Sequence, residues 1–143
     1  MKKNIILIAI ILISALGFSQ DKEDRIKALK VAMITEKLDL SGTEAQNFWP
    51  IYNAFQDSNR AMKNAIHEKR KAINYATLSE TEAKSILKEI NILSNKRHEL
   101  YSEFISDITK VIPAKKVLLL KEAENEFKHK MFEEYKKRKG KRP

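Results

Sequence analysis

The sequence contains no cysteine, only three glycines and only three prolines among its 143 residues. The absence of cysteine excludes disulfide bonds and removes the thiol through which a bacterial lipoprotein would carry its lipid. Between Gln20 and Lys139 the only glycine is Gly42, and the only prolines are Pro50 and Pro113. Because glycine and proline mark most turns, their scarcity predicts long, uninterrupted helices.

The amino terminus has the order of a secretory signal peptide. Lys2 and Lys3 precede an unbroken apolar run over residues 5–13, and small residues follow up to Ser19. This run is shorter than the roughly 20 residues that a membrane-spanning helix needs. We therefore expect residues 1–19 to be a cleaved signal peptide and the mature chain to be a soluble periplasmic protein, not a lipoprotein.

The formal net charge of +9 is concentrated at the two ends of the chain. The signal segment carries two basic residues, and the basic tail, residues 136–143, carries six. Residues 20–135 then hold 20 basic side chains against 19 acidic ones. The near-neutral body and the expected export both argue against nucleic acid as a partner. The tail is expected to make at most a weak contact with anionic membrane lipid.

Apolar residues recur every three or four positions through the body of the chain, and no segment alternates as a strand would. This pattern predicts an all-α fold of about four helices, near residues 22–38, 42–75, 79–111 and 113–139. The two central helices would each be roughly 50 Å long. We expect them to form long antiparallel hairpins in a thin, extended layer. A single domain is expected over residues 20–135, with a kink near Pro50.

A six-residue pattern, Leu-Ser-x-Thr-Glu-Ala, occurs twice, at residues 40–45 and 78–83. In each copy the serine and the glutamate three residues later fit the capping box, in which each side chain satisfies a backbone amide of the first helical turn. The repeat therefore predicts two helix starts, at Ser41 and Ser79. Because capping sequences arise convergently, it does not establish a duplication.

The segments "NFWPIYNAF" (47–55) and "VIPAKKVLLLKEAENEF" (111–127) carry a family resemblance. Together with the cysteine-free helical pattern, they make the chain resemble the Spy/CpxP-like periplasmic proteins, and in particular the branch often labelled sensors of extracytoplasmic-function sigma factors. Leu40, Ser41 and Glu44 stand where that family has Leu, Thr and Gln of its Leu-Thr-x-x-Gln motif. The resemblance implies a cradle-shaped helical homodimer that acts as a chaperone, an envelope-stress regulator or a metal-responsive sensor.

A candidate client-binding surface lies on the second predicted helix. Its basic members recur every three or four residues beside apolar side chains that include a flexible methionine. Such a surface suits an unfolded chain, although a solvated flank bordering an ordinary core would show the same pattern. The candidate residues are Arg60, Lys63, His67 and Lys71, with Phe55, Met62 and Ile66.

Metal and catalytic sites have little support in the sequence. His98 and His129 are weak metal candidates, because a fold-back at Pro113 would place them at similar heights, and no His-Glu-x-x-His pattern is present. The chain lacks a cysteine nucleophile, a glycine-rich phosphate loop and a Gly-x-Ser-x-Gly elbow. We therefore expect a protein that is not an enzyme and binds no cofactor.

Three functions remain open at the level of sequence. The first is an ATP-independent, chaperone-like protein that shields unfolded or misfolded clients in the envelope. The second is an envelope-stress or metal-responsive regulator whose partner is a membrane anti-sigma factor. The third is a structural or lipid-surface protein that acts through its basic tail.

Export generates the first prediction. Native protein should lack residues 1–19, because signal peptidase cleaves after the small residue that ends such a segment. Intact-mass spectrometry of protein isolated from its natural host checks this directly. Detection of a chain that retains Met1 would contradict it.

Overall fold

The computed structural model describes residues 21–140, and every regular element in this range is a helix. Helix α1 covers residues 21–37, α2 Gly42–Lys71, α3 Glu80–Ile108 and α4 Ala114–Gly140. The prediction of an all-α fold with four helices is thus confirmed. The predicted signal segment, residues 1–19, lies outside the described residues.

The chain divides into two compact units. One unit combines the chain up to Asp39 with the chain from Leu118 onward, and the other contains residues 40–117. The first unit holds the buried side chains Ile34, Leu38, Leu120, Ala123 and Phe127, and the second holds Phe48, Tyr52, Phe104, Ile108 and Ile112. Within residues 21–140, no helix is long and apolar enough to cross a bilayer.

The central helices end earlier than the apolar pattern predicts. α2 stops at Lys71 and α3 at Ile108, whereas the pattern predicts ends near residues 75 and 111. After α2, the Asn74 side chain accepts a hydrogen bond from the amide of Ala76 at 3.1 Å, which stabilises a local turn. The apolar residues Ile73 and Val111 therefore lie just beyond their helices, because side-chain periodicity continues where the backbone already turns.

Both predicted capping boxes are present. The Ser41 hydroxyl accepts from the Glu44 amide at 3.2 Å, and the Glu44 carboxylate accepts from the Ser41 amide at 2.9 Å. Ser79 and Glu82 make the same pair of bonds at 3.3 and 2.9 Å. Each box satisfies amides that the first turn leaves without a helical partner, so α2 and α3 begin at defined residues.

Two further helix boundaries are defined by Asp39, which the sequence pattern did not indicate, and by Pro113, near which it predicted the start of the fourth helix. α1 ends without glycine: Asp39 has a φ of 48°, in the left-handed region that Asp tolerates better than most residues. At the other boundary, the carbonyl of Pro113 accepts from the Val117 amide at 3.2 Å, so Pro113 caps α4 from just outside it. Pro50 lies inside α2, which continues through it although Pro50 has no amide to donate.

Glu44 links the start of α2 to the first turn of α4. Its carboxylate accepts a 2.7 Å hydrogen bond from the Lys116 ammonium, and both side chains are largely removed from solvent. This bond, together with the one from the Ser41 amide, holds the pKa of Glu44 below its ordinary value. Glu44 therefore completes the amino-terminal cap of α2 and also binds the first turn of α4.

The lowered pKa of Glu44 generates a prediction about acid stability. A carboxyl with a lower pKa in the folded state stabilises the fold above its unfolded-state pKa, and this contribution is lost as the pH falls through the folded-state pKa. Glu44→Gln keeps a capping side chain but removes the charge that faces Lys116. The variant should unfold at lower temperature than the parent near neutral pH, and the difference should disappear in strong acid. Thermal unfolding followed by circular dichroism across this pH range measures it.

Glu99→Gln is the matched control, because Glu99 is exposed and has no ion-pair partner among the described residues. It should unfold with the parent at every pH. If Glu44→Gln also followed the parent at neutral pH, the Lys116 contact would not contribute to stability.

Candidate functional site

The α2–α3 hairpin packs along one seam of side chains. Its members recur at steps of three and four residues, the spacing of a coiled coil, so each turn of either helix contributes one. The two helices run antiparallel, because residues late in α2 contact residues early in α3, as Lys69 does in its ion pair with Glu89. The seam consists of Phe48, Tyr52, Phe55, Asn59, Met62, Ile66 and Lys69 of α2, and Ile86, Ile90, Leu93, Arg97, Leu100, Phe104 and Ile108 of α3.

Aromatic rings fill the seam where α2 begins and α3 ends. Phe55 stacks on Phe104 with ring centroids 4.2 Å apart, and Tyr52 meets Phe104 edge-on at 6.3 Å. Phe48 and Tyr52 are fully buried, and their rings stack at 5.3 Å. Such ring pairs add to the free energy of apolar burial. Phe55 therefore belongs to the packing between the helices.

Toward the turn between the helices, the seam becomes thin. The apolar side chains Met62, Ile66, Ile86, Ile90 and Leu93 are all half-buried, and none is fully buried. Near the turn, each apolar side chain of the seam is covered by its own helix and by the partner helix alone. One edge of the side chain therefore stays in contact with solvent. Met62 and Ile66 thus occupy packing positions and retain accessible apolar surface at the same time.

One polar pair interrupts the seam. The Arg97 guanidinium donates through Nε to the Asn59 side-chain carbonyl at 2.9 Å. Both residues occupy positions where the 3–4 spacing calls for an apolar side chain. A polar layer inside an apolar seam favours the one register that pairs it, since any shift leaves both groups without their partner. The apolar pattern alone passed over these residues, although the gaps that they leave in the apolar stripes would have revealed them.

Charge is sorted between the two side faces of the hairpin. In an antiparallel pair of right-handed helices, the positions that directly follow seam residues lie on the same side in both helices, and so do the positions that precede them. The shallow groove between the helices confirms this, because Ile51, Ala54 and Ser58 precede seam residues of α2 and line it with Glu103 and Asp107, which precede seam residues of α3.

The face that follows the seam is basic. Arg60, Lys63 and His67 of α2 directly follow seam residues, and Lys71, two positions after Lys69, lies at the outer edge of this face. All four are exposed, and none has an ion-pair partner among residues 21–140. Among the described residues of both helices, no Asp or Glu directly follows a seam position. The acidic residues Glu68, Glu89, Glu99, Glu103 and Asp107 all precede one. We call the face of Arg60, Lys63, His67 and Lys71, with the α3 residues Leu87, His98 and Tyr101, the basic face.

The contribution of α3 to this face is apolar. Leu87 is 66% exposed and Tyr101 is 49% exposed, and both directly follow seam residues. Tyr101 also lies against the Phe55 ring, with centroids 6.0 Å apart. The basic face thus joins a line of unpaired cations on one helix to exposed apolar side chains on the other. This combination could not be read from α2 alone.

The histidines do not form a metal cluster in the described part of the chain. No group of three or more His, Asp, Glu or Cys side chains able to hold a metal occurs within residues 21–140. His67 and His98 both lie on the basic face, among cations. His129 lies on the exposed surface of α4 in the other unit.

The motif residues Leu40, Ser41 and Glu44 have a structural role. Ser41 and Glu44 form the capping box, and Leu40 is half-buried immediately before it. They define where α2 begins and where α4 attaches. They lie at the opposite end of the hairpin from the unpaired cations.

No match to this chain was found among protein-family models, curated proteins or solved structures.

The seam generates a prediction that separates packing from accessible surface. Phe55→Ala should lower the free energy of unfolding by about 2–4 kcal/mol, and Met62→Ala or Ile66→Ala by about 1–2 kcal/mol, because half-buried side chains lose less than the core range. Leu87→Ala, on the basic face but outside the seam, should change it by no more than about 0.5 kcal/mol. Urea unfolding of the four variants measures this. Equal small losses at all positions would show that the helices do not pack along this seam.

Proposed function

We propose that this chain is an exported helical binding protein of the Spy/CpxP-like kind, which shields unfolded, acidic segments of other proteins in the cell envelope without ATP. The observation that carries the proposal is the basic face. The exposed cations Arg60, Lys63 and Lys71 lie in line with His67, without ion-pair partners, along positions of the hairpin that, within the described residues, carry no carboxylate directly after a seam residue.

The cations are suited to capture. Unpaired charges of one sign produce a field that attracts the opposite charge and raises the rate of encounter. On a protein surface most cations are offset by nearby acids, as Lys69 is by Glu89. Here no acid of the described residues directly follows a seam position, and the acids nearest along α2, Asp57 and Glu68, lie three positions before Arg60 and Lys71 without forming an ion pair with them. The attraction of Arg60, Lys63 and Lys71 is therefore only partly offset.

The apolar side chains are suited to retention. An unfolded segment exposes apolar groups, and the free energy of the system falls when these groups leave water. Leu87 and Tyr101 offer exposed apolar surface, and the half-buried Met62 adds a flexible side chain that adapts to different shapes. Apolar contacts of this kind do not depend on the amino-acid sequence of the client, and a protein that binds many different clients requires such contacts.

The surface is open in the structure as it stands. Capture on it requires no lid to move and no helix to separate, so no nucleotide-driven step is needed. Release then follows when the client buries its own apolar residues by folding, because the competing burial within the client removes the groups that the hairpin holds.

The proposal predicts a selective loss on removal of charge. The triple variant Arg60→Ala, Lys63→Ala, Lys71→Ala should capture reduced, acidic α-lactalbumin on the order of tenfold more slowly at low salt, with a weaker dependence on salt, because steering between exposed charges is screened beyond about 8 Å at physiological ionic strength. Its helix content should equal that of the parent. Stopped-flow light scattering of client aggregation measures the rate of capture.

A triple variant outside the basic face is the matched control. Lys88→Ala, Lys96→Ala, Lys121→Ala removes the same charge from exposed lysines that have no ion-pair partner among the described residues. It should suppress aggregation as the parent does, and neither triple variant should differ in its effect on reduced, basic lysozyme. An equal loss of capture rate in both triple variants would show that the rate depends on the net charge of the protein and not on the basic face. A dimer in sedimentation that the triple variant of the basic face converts to a monomer would also contradict the proposal, because it would assign the basic face to a contact between two copies of the chain.

A further inference from the structure

The unit that contains α1 and the carboxyl-terminal part of α4 carries a groove unrelated to the basic face. Its two helical segments run antiparallel, since Lys37 pairs with Glu122 and Glu126 while residues 21–29 meet residues 131–138. The groove has a volume of about 840 Å³. This lies in the range of small-molecule sites, which is roughly 300–1,000 Å³.

The floor of the groove is apolar. Ile26 and Leu29 of α1 face Met131 and Tyr135 of α4 across it. Ile26 is 38% exposed and Leu29 is 43% exposed, although the same helices bury Ile34 and Phe127 further along. Ile26 and Leu29 thus lie on the side of α1 that faces α4, but the α4 side chains do not cover them. Their apolar surface remains accessible to solvent.

The mouth of the groove is cationic. Lys22, Arg25 and Arg138 line it at the end where the described part of α1 begins, and none has an ion-pair partner among residues 21–140. The two carboxylates of the lining are Asp21 and Glu134, and Glu134 is already paired with Lys137 at 3.3 Å. A fourth cation, Lys139, lies over the ring of Tyr135 at 5.0 Å. The mouth therefore has an excess of positive charge.

We propose that this groove binds one amphiphile with an anionic head and an acyl chain of medium length, such as a free fatty acid. The apolar floor takes the chain, and the guanidinium groups of Arg25 and Arg138 take the head, because a guanidinium donates two parallel hydrogen bonds to a carboxylate. The lining spans residues 21–29 of α1, about 12 Å of helix, which limits the enclosed chain to a medium length.

A second copy of the chain and a membrane surface are less suited to the groove. A second copy would bring the same excess of cations to the mouth. A membrane surface is flat on this scale, whereas the apolar residues line a concave site with the cations gathered at one end. Charge complementarity and shape together favour a single anionic amphiphile.

The test uses the full-length mature chain and dodecanoate below its micelle concentration, with dodecanol as the uncharged probe of equal chain length. Isothermal titration should show one dodecanoate per chain with micromolar affinity, and binding of dodecanol at least tenfold weaker. Arg25→Ala with Arg138→Ala should weaken dodecanoate at least tenfold and leave dodecanol unchanged. Leu29→Gln should weaken both probes.

Matched controls lie on α4 outside the groove. Lys128→Ala with Lys130→Ala removes two exposed cations, and Leu118→Gln replaces an apolar side chain that is 78% exposed, so both should bind as the parent does. Equal affinity for dodecanoate and dodecanol would overturn the proposal, as would losses in the controls equal to those in the groove variants. Binding only to anionic vesicles would assign the cations to a membrane surface, and a dimer that buries Leu29 would assign the groove to a second copy. Both results would also overturn it. Capture of acidic clients by the basic face does not depend on any of these outcomes.

Discussion

The packing of α2 against α3 along a single seam is the interaction on which the rest of the structure depends. A lone amphipathic helix of this length would expose its apolar stripe along one whole side. Pairing two such stripes in antiparallel register buries Phe48, Tyr52 and Phe104 at one end and leaves Met62 and Ile66 half-covered at the other. The gradient from closed to open packing follows directly, because only two helices meet at the open end.

Register then decides what the surfaces of the hairpin are. The Asn59–Arg97 hydrogen bond and the Phe55–Phe104 stack hold one alignment of the helices. A change in rotation of either helix would bring its flanking charges into the seam and its apolar residues into solvent. With the observed alignment, the cations of α2 share a side with Leu87 and Tyr101, while the acids of α3 line the opposite side. The basic face is thus a product of packing, although each of its charges belongs to an ordinary exposed position.

Glu44 shows how one short motif can serve two levels of structure. Its carboxylate completes the cap of α2 and also binds Lys116 at the start of α4. The capping role depends on residues three apart in sequence, so it was predictable. The Lys116 contact joins residues 72 positions apart, which no local pattern indicates. A motif that resembles a family signature can therefore reflect helix starts and their attachments without itself forming a binding site.

The sequence by itself determined the secondary structure and the apolar face of each helix. Scarcity of glycine and proline, the 3–4 spacing and the two Ser-x-x-Glu boxes are local features, and local hydrogen bonding and periodicity are sufficient to interpret them. The same reasoning predicted that Arg60, Lys63, His67 and Lys71 share one flank of α2, at the outer edge of which Lys71 lies. It placed the ends of α2 and α3 about three or four residues too late, because apolar spacing persists past the turn that Asn74 makes.

Only the tertiary structure decided which flanks share a face and which stripes remain uncovered. Leu87 and Tyr101 join the cations of α2 because an antiparallel pair brings equivalent flanks together. Ile26 and Met131 line a groove because two segments about a hundred residues apart in sequence lie side by side without closing. Periodicity specifies where a side chain lies around its own helix, but the partner that covers it depends on long-range packing, and that information is not local to any segment of the sequence.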